Sequence, residues 1–158
     1  MVAGKQTAGR GRRGRSFYSP EEAGLYLSVI LKPQGSLRES LLLTAEAAVA
    51  VYKAVLRVTG ISLDIKWVND LYYHDRKVCG ILTEAVTDFE SGEIDFAVVG
   101  IGLNLYEAAE GYPSELKGIA GALYKDREAA AELDRNRLAA EIINFLLEET
   151  RELRLPPE

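Results

Sequence analysis

Residues 9–15, Gly-Arg-Gly-Arg-Arg-Gly-Arg, form the first segment whose residue types could do chemistry. Three glycines let the backbone approach a ligand closely, and four arginines offer forked donors that suit a phosphate or a carboxylate. Like charges without an apolar anchor predict that this arginine loop (residues 9–15) forms neither a helix nor a regular strand and is the least ordered part of the unliganded chain. These residues favour an anion-binding loop, and a solvated tail or an Arg/Gly tether for nucleic acid stays open.

A second segment, Lys-Trp-Val-Asn-Asp at residues 66–70, follows a predicted strand. Side chains at the end of a strand are aimed by a rigid element, which suits a binding site. Lys66 could hold a phosphate, and Asp70 could hold a magnesium ion whose other ligands are phosphate oxygens and water. Taken alone, an ordinary strand followed by an Asn-Asp turn is the simpler interpretation.

A third segment, Arg-Lys-Val-Cys-Gly-Ile-Leu at residues 76–82, places a lysine at the start of an apolar strand. The Lys77 ammonium would lie at the edge of the core, where it could point into a pocket, and Gly80 would leave room for a ligand against the sheet. A solvated lysine is the simpler interpretation of this segment by itself. The later run Gly-Ile-Gly-Leu-Asn at residues 100–104 is not a dinucleotide fingerprint, because no helix follows it directly.

Two helices and four strands are predicted to position these segments. In chain order they are a strand over 25–31, a helix from Ser36 to Gly60, strands over 63–67, 78–86 and 94–103, and a helix after Asp134. A capping box of Ser36 and Glu39 begins the long helix, and Gly60 ends it. Turn residues between the last two strands predict an antiparallel hairpin. This order predicts the α+β class, with a mixed β-sheet and the helices packed on one face.

Apolar residues at helical spacing predict the buried face of each helix. In the long helix this face is Leu37, Leu41, Ala45, Ala48, Tyr52, Val55 and Leu56. In the final helix, which Asp134 would cap, it is Leu138, Ile142, Phe145 and Leu146.

The composition bounds the class of protein. Of 158 residues, 47% are apolar and 27% are charged, which is typical of one globular domain and excludes a disordered or low-complexity chain. No apolar run reaches the roughly eighteen residues that a membrane-spanning helix needs, so no membrane partner is expected. One cysteine and one histidine allow no internal disulfide and few options for zinc, which favours a reducing, cytoplasmic setting.

The charge is distributed unevenly along the chain. The formal net charge is −5, yet five basic and no acidic residues occupy the first fifteen positions. From residue 16 onward, 14 basic and 24 acidic residues give a formal charge of −10. This argues against a nucleic-acid partner, which needs a broad basic face, whereas one short cationic segment suits a single small anion.

Taken in order, the arginine loop, Lys-Trp-x-Asn-Asp, Arg-Lys-x-x-Gly-Ile-Leu and Gly-Ile-Gly-Leu-Asn resemble the catalytic core of biotin–protein ligases, over residues 6–104. The resemblance implies the biotin–lipoate ligase fold and a two-step reaction. Biotin and ATP, with Mg2+, would form biotinyl-5'-AMP. The biotinyl group would then pass to a lysine of the biotin carboxyl carrier domain of a biotin-dependent carboxylase.

The resemblance also implies roles for particular residues. Lys77 and Arg12 would be catalytic, with Lys77 contacting the biotin carboxyl and the α-phosphate. The biotin and adenylate site would comprise Gln6, Gly9, Arg10, Gly11, Arg12, Phe17, Lys77 and Gly80. The nucleotide side would comprise Lys66, Asn69, Gly102 and Asn104, and Asp70 would hold the magnesium ion.

Two departures from the family pattern shape the expectations for the whole chain. Val68 stands where the family usually has proline, and nothing matches the family's earlier Ser-Thr-Asn motif for the biotin ring. We therefore expect residues 1–158 to form one partial catalytic domain, without a DNA-binding domain or a C-terminal β-barrel domain, that folds but catalyses poorly by itself. A missing strand–helix unit would expose an edge or an apolar face, which favours a homodimer.

Three other functions stay open at this stage. A lipoate–protein ligase shares the fold and the chemistry but binds another acid, and the four-arginine loop favours biotin. An inactive fragment would fold and bind nucleotide weakly. A nucleic-acid-binding module would use the Arg/Gly segment, and its retention on DNA or RNA would be sensitive to salt.

Overall fold

The fold is built from six strands and two helices. A computed structural model describes residues 1–32, 37–88, 90 and 94–150. The strands are β1 (Val2–Ala3), β2 (Gly24–Leu31), β3 (Asp64–Lys66), β4 (Asp70–Tyr73), β5 (Arg76–Thr87) and β6 (Ile94–Asn104). The helices are α1 (Leu37–Thr59) and α2 (Arg135–Glu149). All six predicted elements are present within a few residues of their predicted bounds. Ser36, and with it the predicted capping box, lies outside the described residues.

One antiparallel sheet contains all six strands in the order β1-β2-β6-β5-β4-β3. The predicted hairpin of β5 and β6 lies at its centre and pairs Gly80 with Gly102. Among the described residues, parallel pairing occurs only as isolated bridges that join Lys77 to Ala120 and Tyr106 to Tyr124. The α+β class is therefore confirmed, while the predicted mixture of strand directions is limited to these two bridges.

Both helices pack on one face of the sheet, as predicted. Successive strand residues point to opposite faces, so Leu27, Ile81 and Ile101 of the three central strands are buried beneath the helices. The hydroxyl groups of Thr44 in α1 and Thr83 in β5 share a hydrogen bond of 2.8 Å across this layer. The opposite face carries no α-helix in the described ranges, and the candidate site lies there.

The buried face of α1 differs from the predicted stripe. Ala48 and Val55 are buried as predicted, and Ala45 and Tyr52 are half-buried, but Leu56 is 40% exposed, so the prediction is wrong there. The side chains of Leu37 and Leu41 lie outside the described part of the helix. The buried face is completed instead by Leu43, Ala47, Ala50, Val51 and Ala54. A helix that packs against both a sheet and a second helix buries a wider, rotated stripe, and its alanines allow a close approach.

Helix α2 follows the prediction closely. The Asp134 carboxylate accepts a hydrogen bond of 2.9 Å from the Arg137 backbone N–H and so caps the first turn. The predicted stripe is buried in full, at Leu138, Ile142, Phe145 and Leu146. Arg57 of α1 lies 4.5 Å from the centroid of the Phe145 ring, which joins the two helices into one layer. Across the described residues, neither helix is both long and apolar enough to span a membrane.

Replacing Leu138 by alanine is expected to lower the free energy of unfolding by about 2–5 kcal/mol, because the fully buried side chain would leave a cavity in the core. Urea unfolding followed by circular dichroism measures the change. Leu147→Ala, on the same helix but 39% exposed, is the matched control and should cost less than about 1 kcal/mol. Equal losses in the two variants would contradict the assigned packing of α2.

The sequence pattern does not predict two of the strands. Strand β1 has only two residues, and Val2 and Ala3 pair with β2. Strand β4 begins at Asp70, directly after the turn at 67–69, where the pattern predicts a loop. Two residues are too few for an alternating pattern to stand out in β1, and the Asp-Leu-Tyr-Tyr sequence of β4 does not alternate between polar and apolar residues.

Candidate functional site

The open face of the sheet carries two adjoining cavities. The larger cavity, of about 440 Å³, lies beside Asp70 and Asn104. The smaller cavity, of about 160 Å³, lies over the middle of β5 and β6, beside Gln6 and Gly80. Five residues line both cavities, namely Gly11, Arg12, Phe17, Asn69 and Lys77. The cavities therefore meet under the arginine loop, and a ligand with two parts could extend from one into the other.

The arginine loop folds back on itself beside these cavities. The Gly11 N–H donates to the Arg15 carbonyl at 2.7 Å, and the Phe17 N–H donates to the Gly9 carbonyl at 2.8 Å. A single 3-10 turn over Arg12–Gly14 forms its tip, and this turn is the one departure from the expected absence of regular structure. That this loop is the least ordered part of the unliganded chain stays a prediction.

Phe17 separates the two cavities. Its ring lies on Gly80 and Gly102, which pair across β5 and β6. The contacts show this, since a Cβ added to Gly102 would touch the ring and one added to Gly80 would come within 2.9 Å of it. Glycine is needed at both positions, since any side chain would collide with the ring. The space beside Gly80 that the sequence suggests for a ligand is thus occupied by Phe17 and by the end of the Lys77 side chain.

Lys77 lies at the junction of the two cavities. Its ammonium forms an ion pair of 2.7 Å with the Asp70 carboxylate, and the two side chains are 29% and 24% exposed. The Asn69 amide donates to the same Asp70 oxygen at 2.9 Å, and its own oxygen accepts a hydrogen bond of 3.1 Å from Arg12. A chain of four polar groups therefore joins the arginine loop to β4 and β5.

The turn between β3 and β4 positions Asn69. Its Trp67–Val68 peptide bond is cis, and the Asn69 carbonyl accepts a hydrogen bond of 2.8 Å from the Ile81 N–H, which ties the turn to β5. The Lys66 ammonium lies 5.3 Å from the centroid of the Tyr72 ring and lines neither cavity. The structure therefore does not bring Lys66 together with the other predicted nucleotide-side residues.

Most of the other predicted site residues do come together. The smaller cavity is lined by Gln6, Arg10, Gly80 and Gly102, and the larger cavity by Asp70 and Asn104. Gln6 accepts a hydrogen bond of 2.7 Å from Ser19, and Asn104 donates one of 2.9 Å to the Gly121 carbonyl. Gly9 lines neither cavity but packs against Phe17 and Ser19, where a Cβ would not fit.

Sequence reasoning missed the segment after β6, which lines the larger cavity with Tyr112, Leu116, Ile119 and Ala120. Burial raises the pKa of Tyr112 to about 12. Its buried hydroxyl has no hydrogen-bond partner among the described residues, although the nearby Asn104 amide, which donates to the Gly121 carbonyl, acts to lower this pKa. The one signal in the sequence that could have indicated this segment was the aromatic Tyr112 between Gly111 and Pro113 in a predicted loop.

The described residues offer no activated thiol and no resident metal site. Cys79 lines the larger cavity but is fully buried, and burial raises the pKa of its thiol far above the ordinary value. In the described ranges, no three His, Cys, Asp or Glu side chains are placed to hold a metal ion. The single Asp70 carboxylate fits a magnesium ion that arrives with a nucleotide and keeps phosphate and water ligands.

An antiparallel sheet with helices on one face, and with an arginine loop over paired glycines on the other, defines the class of protein. The chain belongs to the biotin/lipoate A/B protein ligase family, whose family model matches residues 1–104. It is 41% identical over 135 residues to the bifunctional ligase/repressor BirA of Bacillus subtilis (strain 168), covering 85% of this chain and 40% of that protein. It is 33% identical over 150 residues to the biotin–[acetyl-CoA-carboxylase] ligase of Mycobacterium tuberculosis, covering 92% of this chain and 52% of that protein.

Solved structures agree on the fold. Biotin protein ligase from Aquifex aeolicus in complex with biotin and ATP has a TM-score of 0.77 at 32% identity, covering 97% of this chain and 60% of that chain. Biotin protein ligase from Leishmania major in complex with biotinyl-5-AMP has a TM-score of 0.68 at 28% identity, covering 96% of this chain and 64% of that chain. The chain thus spans 40% and 52% of the lengths of the two curated relatives. The family predicted from the four motifs is confirmed.

Proposed function

We propose that the protein is a biotin–protein ligase, which activates biotin with ATP to biotinyl-5'-AMP and transfers the biotinyl group to a lysine of an acceptor protein. One observation carries the proposal: Lys77 and Arg12 line both cavities at the point where these meet. Cations at that junction would contact the biotin carboxylate on one side and the α-phosphate on the other. Relatives and structures named for biotin, ATP and biotinyl-5-AMP support the same assignment.

In the first step, biotin would occupy the smaller cavity and the nucleotide the larger one. A biotin carboxylate oxygen attacks the α-phosphorus and forms a new P–O bond, and pyrophosphate leaves with the electron pair of the bond that breaks. Because this step joins two anions, Arg10, Arg12 and Lys77 would lower its barrier by offsetting the repulsion. Such electrostatic stabilisation is worth several kcal/mol in an enclosed site.

In the second step, the mixed anhydride must be kept from water until the acceptor arrives. The arginine loop borders both cavities, and its four positive charges would close around the adenylate phosphate. The acceptor amine attacks the acyl carbon and forms the C–N bond, the acyl C–O bond to the phosphate breaks, AMP leaves with that electron pair, and the amine releases a proton to solvent. A loop that covers the anhydride and then opens admits the acceptor while limiting hydrolysis.

Asp70 would contact the magnesium ion of the MgATP substrate. Without substrate it pairs with Lys77 at 2.7 Å. Binding of both substrates would replace the ion pair between Lys77 and Asp70. Lys77 would then contact the anionic groups of the substrates, and Asp70 would contact the magnesium ion. Asn69 donates to the same Asp70 oxygen as Lys77 and would keep the carboxylate in place during this exchange.

The acceptor would be the biotin carboxyl carrier domain of a biotin-dependent carboxylase. The proposed location of the protein is the cytoplasm, where this partner would also lie. The buried, unpaired thiol of Cys79 suits a reducing compartment. A homodimer is a further part of the proposal, since β3 at one edge of the sheet leaves Ile65 41% exposed.

Calorimetric titration with biotin and MgATP, separately and together, tests the proposed function. We expect heat of binding for biotin, release of pyrophosphate only when both substrates are present, and no response to lipoate. Preferential binding of lipoate would instead indicate a lipoate ligase. Retention on DNA that falls with salt, without any biotin binding, would contradict the proposal in favour of a nucleic-acid-binding module.

Tyr112→Phe is expected to raise the KM for ATP by about two- to tenfold, because a buried hydroxyl without a protein partner would lose its hydrogen bond to the nucleotide. The KM for biotin should stay unchanged, and biotin-dependent ATP–pyrophosphate exchange measures both. Tyr52→Phe is the control, since this half-buried tyrosine of α1 packs on the core and lines neither cavity. Equal shifts of the two KM values in Tyr112→Phe would remove Tyr112 from the nucleotide side.

A further inference from the structure

Glu84 is a charged residue beside the site that the proposed reaction does not use. It lies on β5 opposite Val98 of β6 and lines the smaller cavity. Its carboxylate forms an ion pair of 3.0 Å with the Arg10 guanidinium. A carboxylate at the edge of a cavity that would hold an anionic ligand repels that ligand, so its position calls for another role.

Arg10 and Arg12 attach the arginine loop to the sheet at two separate points. Arg10 is the one arginine of the loop with an ion-pair partner in the described part of the chain, and Arg12 donates instead to Asn69 at 3.1 Å. In the sheet, Asp70 of β4 lies next to Asn69 in the chain and opposite Gly80 of β5. Glu84 lies four residues beyond Gly80 on the same strand. Four strand residues correspond to roughly 13 Å. The smaller cavity lies between these two attachments.

We propose that Glu84 is a positioning residue that holds the arginine loop closed across the smaller cavity and so sets the lifetime of bound biotinyl-5'-AMP. The inference rests on the proposed function. The loop cannot open without separating Arg10 from Glu84, whereas Lys77 pairs with Asp70 and contributes nothing to that ion pair. The Arg10 and Glu84 side chains are 75% and 50% exposed, so the ion pair is weak enough to break in every turnover.

A first test needs no ligand. Trypsin cleaves after arginine, so cleavage within the arginine loop measures how often the loop opens. Glu84→Gln removes the charge and keeps the shape, and it should speed this cleavage about two- to fivefold. Asp95→Asn, which breaks the exposed pair of 3.8 Å between Lys32 and Asp95, is the matched control and should leave the rate unchanged.

A double-mutant cycle shows whether Glu84 acts through Arg10 or only through the stability of the protein. In an Arg10→Ala background, Glu84→Gln should have no further effect on trypsin cleavage, because the pair is already broken. A general loss of stability would persist in that background. Persistence of the full effect there would therefore overturn the inference.

A second test uses a non-hydrolysable biotinyl-adenylate analogue that carries a label, displaced by excess unlabelled analogue. Glu84→Gln should release the analogue about two- to fivefold faster, with less than a twofold change in the association rate. Unchanged or slower release would overturn the inference. Failure of the wild-type protein to bind the analogue, with the trypsin result intact, would overturn the proposed function and leave Glu84 as the attachment point of the loop.

Discussion

Replacing Lys77 by alanine is expected to abolish biotin-dependent ATP–pyrophosphate exchange while the protein stays folded. The Lys77 ammonium lies at the junction of the two cavities, and among the described residues its one ion pair is with Asp70, a second site residue, at 2.7 Å. Losing one charge-assisted contact in the transition state should cost about 2–4 kcal/mol, or roughly 30- to 1,000-fold in rate. Exchange of labelled pyrophosphate into ATP measures the effect.

Two further variants separate the Lys77 charge from its packing. Lys77→Arg keeps a cation at the junction and should retain part of the activity. Lys125→Ala removes an exposed lysine that lines neither cavity and should change nothing. Exchange by Lys77→Ala within about threefold of wild type would contradict the assigned role, since one contact of this kind accounts for far more.

Gly102→Ala is expected to lower the affinity for biotin by roughly 10- to 100-fold. The added Cβ would collide with the Phe17 ring, and Phe17 lies two residues after the arginine loop in the chain, so displacement of the ring would shift the groups that surround the ligand. A misplacement of about 1 Å in a positioning group can cost a factor of this size. Calorimetric titration with biotin measures the loss.

Gly4→Ala is the control, because Gly4 lines neither cavity and a Cβ there would meet nothing within 4 Å. The affinity for biotin should stay within about twofold in this variant. In a Phe17→Ala background, Gly102→Ala should cost nothing more, because the collision is with that ring. Similar losses for Gly4→Ala and Gly102→Ala in the wild-type background would contradict the placement of Phe17.

The sequence allowed us to predict which residues form the site better than how their side chains are arranged in space. Arg12, Asn69 and Lys77 were each ambiguous alone, and only their order along the chain pointed to one family. The structure brings all three to one junction. Lys66 belongs to the same motif as Asn69, yet its side chain lies over Tyr72 outside the cavities. A motif specifies neighbours in the chain, but the pleat of the strand decides which of them face the ligand.

The sequence by itself determined the helices, strands β2, β3, β5 and β6 and the α+β class, because helix caps, turn residues and hydrophobic periodicity act within a few residues of one another. Asp134 caps α2 and the stripe that ends at Leu146 is buried, as that local pattern requires. Only the tertiary structure decided which face α1 buries, that Phe17 lies on Gly102, and that Tyr112 and Glu84 border the cavities. These contacts join residues far apart in the chain, so they depend on strand register and on how the layers pack, which no local pattern contains.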